Sequence, residues 1–176
     1  GEAANRIDWR RSARDGKLFV REREWEASHA IWLWIDRSAS MGFQSSLAKV
    51  AKVERALVAG LALAEGLVEA GERVGHIGLT QAAASRRIVE QLAQAIVADR
   101  AGAETDLPAA QPLHRLSEAL LITDGLSPAD LLAARIAALA ANGARGHLLL
   151  ITDPVEETFP FSGEAEIFDV EDGISL

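Results

Sequence analysis

The sequence of 176 residues contains no cysteine, only five prolines and no long apolar run. Without cysteine, the chain cannot form a disulfide scaffold, a thiolate zinc site or a cysteine nucleophile. No stretch approaches the ~18–20 consecutive apolar residues that span a membrane. The first thirty residues are heavily charged, unlike a signal peptide. Because 49% of the residues are apolar, the composition is typical of a globular domain.

The sequence also lacks an excess of positive charge. Its formal net charge is −8, which argues against a general nucleic-acid binder, since such a protein needs a basic face. Residues 153–176 contain eight acidic side chains and no lysine or arginine, so the whole net charge lies there. We interpret this segment as a solvated face. Asp153 is the exception, because it directly follows a strand.

A methionine is missing at the start, where the chain has Gly1, and we take the chain to be a piece of a longer protein. We expect a cytoplasmic domain whose flanking segments could carry a membrane anchor. Residues 1–28 predict an extended arm or ribbon with clustered arginines, which either anchor the arm to the domain's own acids or contact an acidic partner or phosphate. Residues 29–176 are expected to form one unit, as is typical for this length.

Apolar runs and helical periodicities alternate along residues 29–176, which predicts an α/β fold with a mostly parallel sheet and helices on both faces. Strands are predicted at Ala30–Ile35, Arg73–Leu79, Ala119–Thr123 and His147–Ile151, with a weaker edge strand at Ala165–Val170. Helices are predicted at Leu47–Ala70, Ser85–Ala98 and Pro128–Ala141.

Oxygen-bearing side chains follow two of these strands. Asp36, Ser38 and Ser40 come after the first, and Asp124 comes after the Ala119–Thr123 strand. Ligands of open parallel sheets bind at the carboxyl ends of the strands, and Mg²⁺ prefers such oxygen ligands. The pattern therefore predicts a divalent-cation site there, to which Thr105 could add a hydroxyl. The simpler alternative is that the serines are ordinary turn and helix-capping residues.

The segment from Asp36 to Met41 reads Asp-Arg-Ser-Ala-Ser-Met and resembles the metal-ion-dependent adhesion site of von Willebrand factor A domains. The resemblance implies a von Willebrand factor A-like fold and a bound Mg²⁺, Mn²⁺ or Ca²⁺. By position, it implies as metal ligands Asp36, Ser38, Ser40, Thr105 and Asp124. Thr105 is preceded by Glu104 where such families often have glycine.

Two further segments resemble a narrower bacterial family, domain of unknown function 58. They are Ile7-Asp8-Trp9-Arg10 with its continuation through residues 18–22, and Asp153-Pro154-Val155-Glu156-Glu157. This resemblance implies a non-enzymatic adaptor or assembly factor. It also implies a MoxR-type AAA+ ATPase as partner, and a partner protein whose Asp or Glu completes the metal site.

Two alternatives to this interpretation stay open. One is a Mg²⁺-dependent phosphoryl or ester hydrolase with Asp36 as nucleophile, although Ser38 stands where a second acid would be expected and no lysine follows nearby. The other is the same fold with an empty metal site. Trp32 and Trp34 are expected to pack on one face of their strand, because side chains alternate. His76 and His147 are interpreted as core or edge residues.

Overall fold

Four parallel strands form the centre of the fold in the computed structural model, which describes residues 29–160 and 162. The strands are β1 (Ala30–Ile35), β2 (Arg73–His76), β3 (Ser117–Thr123) and β4 (Arg145–Leu150), in the spatial order β2-β1-β3-β4. The predicted parallel α/β sheet is therefore confirmed. The predicted arm of residues 1–28 and the predicted strand at Ala165–Val170 lie outside the described residues.

Strand β1 agrees with its prediction, whereas β2 ends at His76, three residues before its predicted end. The chain turns there because the backbone N–H groups of Leu79 and Thr80 both donate to the carbonyl of His76. Gly78 has the positive φ of 82° that such a tight turn requires. Ala83 then pairs antiparallel with Val74 and covers part of this edge of the sheet.

Four helices accompany the sheet: α1 (Lys52–Glu69), α2 (Arg87–Ala98), α3 (Ala129–Ala140) and the short α4 (Pro154–Thr158). The first begins five residues later than predicted, because Ser45 donates its N–H to Asp153 and Ala51 is extended. Gly71 ends α1 with φ 90°, which confirms the predicted glycine cap.

Helices cover both faces of the sheet. On one face, α1 and α2 bury Ala64 and Leu92 against Leu33. The other face carries a cluster that includes Trp34 and Leu139 of α3, with Trp32 packed against it. Both tryptophans thus share one face, as predicted.

Helix α1 lies very close to the sheet because its buried stripe is made of small residues. A Cβ placed on Gly60 would lie 2.6 Å from Cδ1 of Ile35, so even an alanine there would force the Ile35 side chain to move. The close approach brings the first turn of α1 to the carboxyl edge of β1 and β3. None of the helices in the described residues is both long enough and apolar enough to cross a membrane.

Candidate metal site

The turn after β1 folds around the carboxylate of Asp36. One oxygen, Oδ1, accepts hydrogen bonds from the backbone N–H of Ser38 at 2.9 Å and from its hydroxyl at 2.7 Å. The hydroxyl oxygens of Ser38 and Ser40 are 3.2 Å apart. Asp36 is fully buried and Ser38 nearly so, whereas Ser40 is half-buried. The two serines therefore face one centre, and Ser40 lies on its more open side.

The end of β3 supplies the other side of the site. Because Ile35 pairs with Ile122, the residues that follow these strands come together at one edge. Thr123 donates its hydroxyl to Oδ2 of Asp36 at 2.7 Å, and the hydroxyl of Ser40 is close enough to Asp124 to act to lower the pKa of that carboxyl. Asp124 is also held by the N–H of Leu126, 3.1 Å from Oδ1. Four of the five predicted ligands thus form one connected group.

Thr105, the fifth predicted ligand, does not join this group. Its hydroxyl bonds to the backbone of Leu107, at 3.2 Å to the carbonyl and 3.3 Å to the N–H. The same loop does approach the site, because the carbonyl of Asp106 accepts a hydrogen bond from Ser127. Thr105 is exposed and its turn is satisfied locally, so the structure gives it no direct role.

The spacing of the connected oxygens can be compared with a metal shell. Ligands at ~2.0–2.1 Å from Mg²⁺ in an octahedron are about 3.0 Å from their neighbours. The oxygen pairs of Asp36 with Ser38 and of Ser38 with Ser40 lie at 2.7 and 3.2 Å. Within the described residues, no group of three or more His, Asp or Glu side chains could hold a metal ion. The candidate site instead combines two carboxylates with two hydroxyls, which are oxygen donors of the kind that Mg²⁺ takes.

Lys52 is the residue of this site that the sequence analysis missed. Its ammonium donates to Oδ2 of Asp124 at 2.9 Å and to Oε1 of Glu156 at 2.5 Å, and its side chain is 2% exposed. The expectation that no lysine lies nearby was wrong. A signal was present, because Lys52 shares its i, i+4 spacing with the apolar stripe of α1 (Ala56, Gly60, Ala64 and Val68).

Helix α4 closes the site on the side of Lys52. Asp153 caps the helix by accepting from the N–H of Val155, and Glu156 accepts from the N–H of Asp153, which together form a capping box. The other oxygen of Asp153 accepts from the N–H of Ser45 at 2.9 Å. Asp153 therefore holds α4 to the turn that carries the serines. Glu156 contacts Lys52 while staying on the exposed side of α4, which agrees with the solvated face predicted for its segment.

The two aspartates of the site have pKa values shifted in opposite directions. Burial raises the pKa of Asp36, and the charge of Asp124 adds to the rise, against the hydrogen bonds from Ser38 and Thr123. Burial also acts to raise the pKa of Asp124, but hydrogen bonds from Lys52 and Ser40 outweigh it and lower the pKa. Asp36 thus carries the less favourable buried charge.

Arg37 fixes the turn from outside the site. Its guanidinium donates to the backbone carbonyls of Ile96 and Asp99 at 2.7 Å each, and to the Asp99 carboxylate. These bonds tie the turn to the last residues of α2. Although Arg37 stands between two candidate ligands, its charge is committed to Asp99 and does not neutralise Asp36.

The sequence matches the family described as Protein of unknown function DUF58 over residues 1–176. The chain belongs to the DUF58 family. Searches of curated proteins and of solved structures gave no match. Membership confirms the narrower resemblance seen in the sequence and covers the turn of Asp36 as well as the capping box of α4.

Proposed function

We propose that this DUF58 chain is a von Willebrand factor A-like protein-interaction module. In this proposal, Asp36, Ser38, Ser40 and Asp124 bind a divalent cation, and an aspartate or glutamate of a partner protein completes its coordination. The module would act as a non-enzymatic adaptor with a MoxR-type AAA+ ATPase in the assembly or maturation of a further protein. The all-parallel sheet, with its site at the edge shared by β1 and β3, supports the fold assignment.

One observation carries the proposal: the contact between the two serine hydroxyls. Ser38 donates its hydroxyl to Oδ1 of Asp36 at 2.7 Å, and the hydroxyl oxygens of Ser38 and Ser40 lie 3.2 Å apart. Two hydroxyl oxygens are thus gathered beside the buried carboxylates of Asp36 and Asp124, and oxygen donors of this kind are what a hard divalent cation takes. Ordinary helix capping does not account for the arrangement, since Ser38 forms no side-chain cap on the short helix that follows.

Exposed apolar side chains around the site support a role in protein binding. Phe43, Leu47 and Leu126 are 37%, 57% and 64% exposed and belong to the segments that carry the serines and Asp124. Phe43 also lies over Lys52, with the ammonium 5.7 Å from the ring centre. A partner protein that docks over the site would bury these exposed apolar side chains.

The cation site can be tested by calorimetric titration of the full chain with Mg²⁺ and with Mn²⁺. Wild type should bind one ion, and Asp36→Ala should abolish binding. Thr105→Val should bind like wild type, since its hydroxyl is used within its own turn. Wild type that binds neither ion would contradict the proposal and favour a fold with an empty site.

The partner can be tested by capture from a lysate of the source cell with immobilised wild type or Asp36→Ala. Wild type should retain an AAA+ ATPase in the presence of Mg²⁺, and the variant should lose it. Leu126→Asp should also weaken capture, whereas Leu116→Asp, an exposed leucine just before β3, should not. Turnover of a phosphatase substrate that disappears in Asp36→Asn would instead support the hydrolase alternative.

A further inference from the structure

The contact between Glu156 and Lys52 joins the short helix α4 to the site. One oxygen of Glu156 accepts from the ammonium of Lys52 and the other accepts from the backbone N–H of Asp153. The same glutamate therefore completes the capping box of α4 and contacts the ammonium of Lys52, which neutralises Asp124. Any change at the site that alters the charge felt by Lys52 must also alter how firmly α4 is held.

Glu156 makes the charge at the site more favourable for a divalent cation. Asp36, Asp124 and Glu156 contribute three negative charges, and Lys52 contributes one positive charge. An ion beside Asp124 would be repelled by the buried ammonium, because unit charges interact strongly away from water. Glu156 offsets that repulsion, since it shares the ammonium with Asp124.

We propose that Glu156 is a positioning residue that sets the cation affinity of the site through Lys52. The inference rests on the proposed function, because it concerns the same cation. Since coupling between two sites is reciprocal, the bound cation holds α4 more tightly to Lys52 by the same factor.

The test compares Glu156→Gln with Glu157→Gln. Both variants lose one negative charge from α4, but only Glu156 contacts Lys52, and Glu157 is exposed. In calorimetric titration with Mn²⁺, Glu156→Gln should bind about five- to tenfold more weakly than wild type, and Glu157→Gln should bind within about twofold. Lys52→Met should bind more tightly, because the repelling charge is removed.

The reciprocal effect can be read by hydrogen exchange of the α4 amides. Mn²⁺ should slow exchange of the N–H groups of Val155 and Phe159 in wild type and have little effect in Glu156→Gln. If wild type binds Mn²⁺ but the two glutamate variants bind alike, the role of Glu156 is refuted while the proposed function stands. If wild type binds no Mn²⁺, both fail. The comparison of the glutamate variants does not depend on whether Lys52→Met folds.

Discussion

Asp36 and Asp124 occupy equivalent places at the ends of neighbouring strands, yet the protein treats their charges differently. Asp124 faces the ammonium of Lys52 at 2.9 Å. Within the described residues, Asp36 accepts hydrogen bonds from Ser38 and Thr123, which are uncharged donors. Both carboxylates are nearly inaccessible, and burial acts to raise the pKa of each. The comparison teaches that a neighbouring cation reverses the outcome, because only Asp124 has an ammonium beside it.

The difference also identifies the carboxylate whose charge lacks a partner cation among the described residues. The pKa of Asp36 is raised, so its ionised form costs stability in the folded state, and this cost is present at neutral pH and relieved as pH falls. The pKa of Asp124 is lowered, so its ionised form stabilises the fold, and that contribution is lost in acid. A divalent ion would remove the cost at Asp36.

The largest expected effect on stability comes from removing the ammonium of Lys52, which neutralises Asp124. Lys52→Met leaves the buried carboxylate of Asp124 without its ammonium, which should lower the free energy of unfolding by about 3–5 kcal/mol. Lys49→Met, three residues earlier and exposed, should change it by less than about 0.5 kcal/mol. Urea unfolding in EDTA measures both. Equal effects of the two variants would contradict the buried contact.

Neutralising each aspartate in turn tests whether their charges differ in their effect on the free energy of unfolding. Asp124→Asn leaves Lys52 with Glu156 alone and should destabilise the protein by about 2 kcal/mol. Asp36→Asn removes a buried charge without a counter-charge and should cost little or even stabilise. Denaturant unfolding in EDTA should therefore rank Asp36→Asn above Asp124→Asn. The reverse order would show that the charge of Asp36 is already balanced.

A smaller effect is expected from the hydroxyl that supports Asp36. Thr123→Val removes the donor to Oδ2 of Asp36 and the acceptor for the N–H of Gly125, and should cost about 1–2 kcal/mol. Thr105→Val loses only hydrogen bonds within an exposed turn and should cost less than about 0.5 kcal/mol. Thermal unfolding measures the stability of both variants. Equal losses of stability would show that Thr123 does not hold the carboxylate.

The smallest expected effect is on the pH dependence of stability, and it comes from a buried histidine outside the site. This histidine is His76. Burial lowers the pKa of His76, and the charge of Arg37 lowers it further while Asp99 opposes. The unfolded chain therefore takes up the proton first, near 6.5. Stability should fall as pH drops through this value and level off below the folded pKa.

His76→Asn, which keeps a donor toward the carbonyl of Ile77, should remove this part of the pH dependence. His114→Asn, at an exposed position, should leave it unchanged. Unfolding measured between about pH 4.5 and 7.5 tests both, and an unaltered slope in His76→Asn would assign the dependence to other groups.

The sequence predicted the site best where the backbone is regular. Strand ends are recognisable from apolar runs, and parallel strands bring their ends to one edge, so Asp36 and Asp124 were placed together. Thr105 lies in a loop whose path depends on tertiary contacts such as that of Asp106 with Ser127, which no periodicity reveals. Lys52 was missed, although its spacing with Ala56 and Gly60 places it on the buried stripe of α1.

The same lysine also fixes the position of α1 along the sheet. Ala56, Gly60 and Ala64 are small and spaced one turn apart, so a slide of the helix by one turn, about 5.4 Å, would replace Gly60 by an alanine at Ile35. Lys52 adds a second constraint on the register, because its ammonium meets Asp124 and Glu156 at one position of the helix only. In this role the buried ion pair of Lys52 selects one register of α1 on the sheet.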